Sequence, residues 1–184
     1  MKNTQGPPLA IGLFYGSSNG DTHHAALRIA SLCAFAPNPL AKVTLHDVAT
    51  TPLAVMSTYD YILIGASTWN TGQLQRDWEN AFEAFNTIDL AGKHVALFGL
   101  GDQIGYPDTF VDALAFFADI VIERGARLAG RWRAAGYAFT QSWALADDGR
   151  FVGLVLDEVN QPDLSDARIA QWLAQLHLEW IVDK

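Results

Sequence analysis

A loop of small and hydroxyl-bearing residues near the start of the chain has the composition of an anion site. It comprises Ser17, Ser18, Asn19, Gly20, Asp21 and Thr22. An apolar run at 9–15 predicts a strand before it, and the pattern over 22–35 predicts a helix after it. The free N–H groups and the positive dipole end of that helix favour a bound anion. Because the loop has no Lys or Arg, backbone and neutral side chains would hold a phosphate; the alternative is an ordinary capped turn.

Two further loops each place an aromatic residue among polar ones. The first reads Ser67-Thr68-Trp69-Asn70-Thr71-Gly72-Gln73, and the second reads Gly101-Asp102-Gln103-Ile104-Gly105-Tyr106-Pro107. If both loops lie beside the hydroxyl-rich loop, Trp69 and Tyr106 could flank a flat ring that carries a phosphate. Flavin mononucleotide (FMN) fits that description better than a sugar phosphate, which has no flat face to cover.

The spacing of apolar residues predicts strands that alternate with helices. Strands are predicted over 9–15, 42–46, 59–66 and 93–100, with a last strand that begins over 128–132 and resumes over 151–156. Helices are predicted over 22–35, 74–85, 109–123 and 165–177, with a helical turn over 51–57. This alternation predicts a doubly wound five-stranded parallel sheet with helices on both faces, a single domain over 9–180 after a flexible tail, 1–8. The weak second strand favours the order 2-1-3-4-5, which gathers the three loops at the carboxyl ends of the strands.

The amino-acid composition excludes some kinds of binding partner and some kinds of site. The 184 residues include 12 basic and 20 acidic ones, a formal charge of -8, so nucleic acid and anionic membranes are poor partners and a basic protein face is a good one. The single cysteine, Cys33, excludes an internal disulfide and a cysteine metal cage. The polar start and the lack of an apolar run of ~20 residues predict a cytoplasmic protein without a membrane span.

Three segments resemble one family closely. They are Gly-Leu-Phe-Tyr-Gly at 12–16, Thr-Trp-Asn-Thr-Gly at 68–72, and Leu-Phe-Gly-Leu-Gly-Asp-Gln-Ile-Gly-Tyr at 97–106. The chain resembles the flavodoxins, specifically their long-chain branch, over nearly all of its length after the tail. The strand order 2-1-3-4-5 is that of the flavodoxins, whose ligand crevice lies at the carboxyl ends of the first and third strands. In this branch an insertion splits the last strand, and residues 133–150 look like that insertion.

The resemblance implies a noncovalent FMN and a low-potential one-electron carrier, not an enzyme. It would cycle between the semiquinone and hydroquinone states of the flavin. The implied FMN contacts are Ser17, Ser18, Asn19, Gly20, Asp21 and Thr22 for the phosphate; Trp69 and Tyr106 for the ring faces; Asn70, Thr71 and Gly72 at flavin N5; Gly101 and Asp102 at the pyrimidine edge; and Asp157 at the ribityl hydroxyls. Ser67 and Thr68, which precede Trp69, are also expected to contact the cofactor.

The resemblance also implies redox proteins as partners of a monomer. A ferredoxin/flavodoxin-NADP reductase is the expected donor, and a reductase, nitrogenase or a radical-enzyme system the expected acceptor. Asp77, Glu79, Asp108 and Asp112 could form the acidic face that meets them, or simply be solvated. Three positions depart from the family pattern: Asn19 and Asp21 in the phosphate loop, and Ser67, where a proline is common. We therefore expect FMN to bind less tightly than is usual. The alternative function is an FMN-dependent quinone or flavin reductase on the same fold.

Overall fold

The computed structural model describes residues 9–35 and 41–182, so the predicted tail, 1–8, lies outside the described residues. The strands are β1 (Leu9–Tyr15), β2 (Ala41–Asp47), β3 (Tyr61–Trp69), β4 (Gln73–Leu74), β5 (His94–Leu100), β6 (Arg127–Ala129), β7 (Trp132–Arg133), β8 (Arg150–Phe151) and β9 (Leu154–Leu156). The α-helices are α1 (Asp21–Phe35), α2 (Arg76–Phe85), α3 (Ala113–Glu123) and α4 (Ser165–Val182), and short 3-10 helices cover Leu53–Thr58 and Pro162–Leu164.

The main sheet is parallel and has the predicted order. β2 lies at one edge, followed by β1, β3 and β5, and the last position is shared by β6 and β9. Counted by position, this is the order 2-1-3-4-5, so the prediction is confirmed. Because all of these strands run the same way, the loops after β1, β3 and β5 meet at one edge of the sheet.

The fifth strand position of the sheet is split between β6 and β9, because hydrogen bonds to α4 hold the backbone outside the sheet just after β6 ends. Gly130 has a φ of +76°, which turns the chain out of the sheet. Its N–H donates to Glu179 Oε2 at 2.7 Å, and its carbonyl accepts from Trp172 Nε1 at 2.8 Å. The chain returns at Gly153, where a Cβ would lie 2.3 Å from the carbonyl oxygen of Leu97 on β5. Only glycine fits at this return.

The segment 130–153, here called the insertion, is longer than the predicted 133–150. β7 and β8 were expected to belong to the last strand, but they leave the main sheet and pair with each other, Trp132 opposite Phe151. The prediction of main-sheet strands over 128–132 and 151–156 is therefore wrong at these inner ends. Phe151 is fully buried and packs against Phe139 of the insertion and Phe110 outside it, so the insertion shares apolar packing with the rest of the domain.

Several predicted element ends differ in the structure, and three of these differences, at the end of β3 and the starts of α2 and α3, lie beside the site. Trp69 is the last residue of β3, which continues into a hairpin with β4, so helix α2 starts only at Arg76. Helix α3 starts at Ala113 rather than at 109, because Val111 has a φ of +53°. A β-branched residue in this region is strained by about 1–3 kcal/mol, so the surrounding contacts must hold it there.

Candidate functional site

A cavity of about 330 Å³ opens at the carboxyl ends of β1, β3 and β5. Its lining residues are Ser17, Ser18, Asn19, Asp21, Thr22, Ser67, Thr68, Trp69, Asn70, Leu100, Gly101, Asp102, Tyr106, Glu158 and Val159. Twelve of these were predicted site residues, so the three loops do converge. A second cavity of about 480 Å³ lies between α1 and α4, but apolar side chains line nearly all of it. The polar side chains that could bind a charged ligand therefore line the first cavity, which is the candidate site.

The hydroxyl-rich loop presents unpaired backbone donors. Ser17 Oγ accepts from the N–H of Gly20 at 3.1 Å and of His23 at 3.4 Å, which caps α1 from within the loop. No described residue accepts from the N–H groups of Asn19, Asp21 or Thr22. The positive end of the α1 dipole lies at the same place. The loop therefore offers an anion several donors at once.

A buried glutamine, Gln75, joins this loop to α2. Its Oε1 accepts from the N–H groups of Asp77 and Trp78, so it is the N-cap of the helix. Its Nε2 donates to Ser18 Oγ at 3.0 Å and to Asp77 Oδ2 at 2.6 Å. Sequence patterns gave no indication of this residue, because its partner Ser18 lies 57 positions away.

Replacing Gln75 with alanine is expected to lower the free energy of unfolding by about 2 kcal/mol. The helix loses its cap, which costs about 1 kcal/mol, and truncation of the fully buried Gln75 side chain removes its hydrogen bonds to Ser18 and Asp77, which costs about as much again. Urea unfolding followed by circular dichroism measures the change. Gln141→Ala, an exposed glutamine in the insertion, is the matched control with an expected change below about 0.5 kcal/mol. Equal stabilities of the two variants would contradict the assignment.

Ser67 stands where a proline is common in the family pattern, and its hydroxyl makes a hydrogen bond that a proline could not make. Ser67 Oγ accepts from Trp69 Nε1 at 2.8 Å, which fixes the indole at the cavity wall. Thr68 Oγ1 accepts from the N–H of Ala113 at 3.1 Å, which joins the same loop to the start of α3. Hydrogen bonds thus hold this loop.

The hairpin turn of residues 70–72 follows Trp69. Asn70 and Gly72 have positive φ angles, 48° and 90°, and Asn70 Nδ2 donates to Gln73 Oε1 at 2.7 Å across the turn. Asn70 lines the cavity, whereas Thr71 and Gly72, like Gly20 in the first loop, do not. Gly72 is buried behind the turn, and Thr71 is exposed. Of the three residues of this turn, Asn70 is therefore the one that reaches the cavity.

Another part of the cavity wall is formed by the loop of Asp102 and Tyr106, and the Tyr106 side chain is half exposed. Asp102 Oδ1 accepts from the N–H groups of Gly105 at 2.7 Å and Ile104 at 3.1 Å, and from Asn160 Nδ2 at 2.8 Å. These hydrogen bonds, the one from Gly105 first, hold the pKa of Asp102 below its usual range. The Asp102 carboxylate therefore stabilises the conformation of its own loop through these hydrogen bonds.

Acid is expected to remove the stabilisation that Asp102 provides. Because its pKa is depressed in the folded state, its contribution is present above the unfolded pKa of about 3.9 and is lost as pH falls through the lower folded value. Urea unfolding of the protein and of Asp102→Asn, measured between pH 7 and pH 2, should show a stability difference that shrinks below about pH 4. A difference that is constant over this range would contradict the expectation.

Asp157, the residue expected at the ribityl hydroxyls, lies behind the cavity wall and not on it. Its side chain is fully buried, and its two oxygens accept from Gln103 N and Nε2, from the N–H groups of Val159 and Asn160, and from Asn160 Nδ2. Direct contact with a ribityl chain, as the resemblance implied, does not fit this position. Asp157 instead holds the loop of Gln103 against the loop after β9.

Other lining residues were not predicted. Leu100 lies in the family-like segment 97–106 but had no contact assigned to it, and Glu158 and Val159 lie in the loop after β9, where no motif marks them. Glu158 Oε1 accepts from Arg28 Nη1 at 2.9 Å, so this carboxylate beside the cavity is paired with a cation on α1. The suggested acidic face loses one member, since Asp112 is 1% exposed.

The described residues contain no cluster of three or more His, Cys, Asp or Glu side chains that could hold a metal ion. Within the same residues, none of the helices combines the length and apolar character that crossing a bilayer requires.

Comparison with known proteins points to one family. The family model described as Flavodoxin matches residues 13–172. A flavodoxin of Nostoc sp. is 45% identical over 170 residues, 92% of this chain and 96% of the relative, and flavodoxin 2 of Salmonella typhi is 43% identical over 167 residues, 90% and 94%. Among solved structures, Fusobacterium nucleatum flavodoxin bound to flavin mononucleotide superposes with a TM-score of 0.85 at 26% identity, over 92% of this chain and 98% of that one. The chain belongs to the flavodoxin family.

Proposed function

We propose that this protein is an electron carrier that binds FMN noncovalently and passes on one electron at a time. The observation that carries the proposal is the meeting of a donor-rich helix N-terminus with two aromatic side chains, Trp69 and Tyr106, in one cavity. The flavodoxin of Fusobacterium nucleatum, which has the same fold, was solved bound to FMN. Named flavodoxins are electron-transfer proteins and not enzymes, which supports the same role here.

The phosphate is assigned to residues 17–22. The N–H groups of Asn19, Asp21 and Thr22 are available to it, and the hydroxyls of Ser18 and Thr22 line the same space. No Lys or Arg is among the lining residues, so neutral donors and the α1 dipole supply the binding energy. The Asp21 side chain is exposed, which lets its charge point away from the phosphate.

The flavin ring is assigned to the space between Trp69 and Tyr106. The peptide around Asn70 and Thr71 hydrogen-bonds flavin N5 in this assignment, and Gly72 gives the turn the freedom to rearrange. FMN supplies the redox chemistry, and the protein separates its two reduction steps. Aromatic walls and nearby carboxylates solvate a further negative charge poorly, which favours cycling between semiquinone and hydroquinone at low potential.

The proposed partners are redox proteins with basic faces. The formal charge of -8 opposes binding to nucleic acid and favours a cationic protein surface. A ferredoxin/flavodoxin-NADP reductase is the proposed donor to a monomeric carrier in the cytoplasm. The proposed acceptor is a reductase, nitrogenase or a radical-enzyme system.

Stepwise anaerobic reduction of the FMN-loaded protein, followed by its visible spectrum, tests the proposal. We expect a yellow protein that develops the long-wavelength absorbance of a neutral semiquinone before it bleaches. Incubation with NADPH alone, without a reductase, should leave the spectrum unchanged. Bleaching in a single two-electron step, or direct oxidation of NADPH, would favour the flavin-reductase alternative. A protein that takes up no FMN would contradict both functions.

A further inference from the structure

The insertion is attached to both of the loops that bring an aromatic residue to the site, the loop of Trp69 and the loop of Tyr106. On the Tyr106 side, Gln103 Oε1 accepts from the N–H of Ala138, and the carbonyl of Pro107 accepts from the N–H groups of Thr140 and Gln141. On the Trp69 side, the attachment runs through the short segment of residues 110–113, which leads into α3. The centre of that segment is Asp112.

Asp112 lies between the insertion and the hairpin turn of residues 70–72. Its Oδ1 accepts from the N–H of Trp143 at 2.7 Å. Its Oδ2 faces Gly72 so closely that a Cβ on that glycine would lie 3.1 Å away. The residue is 1% exposed, and burial raises the pKa of its carboxyl while the Trp143 hydrogen bond opposes that rise. One small side chain thus touches two segments that are 71 positions apart in the chain.

The backbone around Asp112 is held by contacts on both sides. Ala113 donates its N–H to Thr68 Oγ1 at 3.1 Å, and Ser142 Oγ donates to the carbonyl of Phe110. Between them, Val111 is kept at a φ of +53°, with its side chain against Gly101. A strained residue persists only where its surroundings determine it, so the position of Asp112 is set by the fold around it.

We propose that Asp112 is a positioning residue of the electron-transfer site, which holds the hairpin turn of residues 70–72 against the insertion. The inference rests on the proposed function, in which the peptide of this turn contacts flavin N5. A turn that is held in place limits which backbone orientations can follow a change in the flavin. The insertion therefore acts on the separation of the two reduction steps through one buried carboxylate, without touching the flavin.

Two substitutions at this position separate its hydrogen bond from its charge. Asp112→Asn keeps an oxygen that can accept from Trp143 but has no charge, and Asp112→Ala removes the acceptor. Asp119→Ala, which removes an exposed carboxylate from the adjoining helix α3, is the control. Amide hydrogen exchange of segments 70–74 and 142–144, and the largest fraction of semiquinone formed during stepwise reduction, are measured on each FMN-loaded protein.

We expect Asp112→Ala to exchange at least about tenfold faster in both segments and to form less semiquinone. Asp112→Asn should exchange within about threefold of the parent protein, and Asp119→Ala should match it in both measurements. Faster exchange in 142–144 alone, with an unchanged turn and an unchanged semiquinone fraction, would overturn the proposal.

If Asp112→Ala does not fold, Ser142→Ala loosens the same junction from the insertion side, and the same two segments are compared. Faster exchange in 70–74 supports the proposal, and an unaffected turn overturns it. Hydrogen exchange requires no flavin chemistry. If the protein takes up no FMN, the exchange pattern of the protein as purified still tests whether Asp112 holds the turn, so failure of the proposed function is distinguishable.

Discussion

Replacement of Trp69 by alanine is expected to weaken FMN binding by about 30-fold. The indole lines the cavity and is held at its wall by the hydrogen bond from Nε1 to Ser67 Oγ. Loss of one aromatic side chain stacked on a flat heterocycle costs about 2 kcal/mol, which corresponds to this factor. Titration of the apoprotein with FMN, followed by quenching of flavin fluorescence, measures the dissociation constant.

Trp143→Ala is the matched control, because Trp143 is 61% exposed and does not line the cavity. Its dissociation constant should stay within about twofold of the parent value. Ser67→Ala should give an intermediate loss, since the ring remains but loses its anchor. Equal affinities of Trp69→Ala and Trp143→Ala would show that the ring at 69 does not contact the flavin.

Replacement of Trp78 by alanine is expected to lower the free energy of unfolding by about 4 kcal/mol, and Tm by about 12 °C. Trp78 is fully buried, and its ring lies edge-on to Phe117 at 4.7 Å and to Phe85 at 5.8 Å. Its Nε1 donates to the carbonyl of Gly65 on β3 at 2.9 Å. Alanine would leave a large cavity, and the Gly65 carbonyl would keep only its longer hydrogen bond, at 3.4 Å from the N–H of Gly16. Thermal and urea unfolding, followed by circular dichroism, measure the loss.

Two further substitutions on α2 serve as controls for the loss of stability in Trp78→Ala. Glu79→Ala changes the next residue, which is exposed, and should alter stability by less than about 0.5 kcal/mol. Trp78→Phe keeps an aromatic ring but lacks the N–H donor, and should cost about half as much as alanine. A loss below about 1 kcal/mol for Trp78→Ala would contradict the assignment of this ring to the core.

The architecture and most of the cavity lining were predictable from local sequence. The apolar runs 9–15 and 93–100 are buried strands in the structure, because a strand covered on both faces must be apolar throughout. The site followed from the sheet: in a parallel sheet the loops after the strands share one edge, so polar and aromatic residues at strand ends gather there without any knowledge of contacts. Trp69 and Tyr106 were found in this way.

The tertiary structure alone decided the roles of the buried polar residues. Gln75, Gln103, Asp112 and Asp157 are polar and buried, and each has partners far along the chain, so neither periodicity nor spacing distinguishes them from exposed residues. The true ends of the insertion were equally hidden, because the split at Gly130 depends on Trp172 and Glu179 of α4. Sequence thus determined where the apolar segments and their loops lie, since that depends on local pattern. Which buried polar groups pair was decided by the packed fold, since a buried donor or acceptor needs a partner wherever the chain brings one.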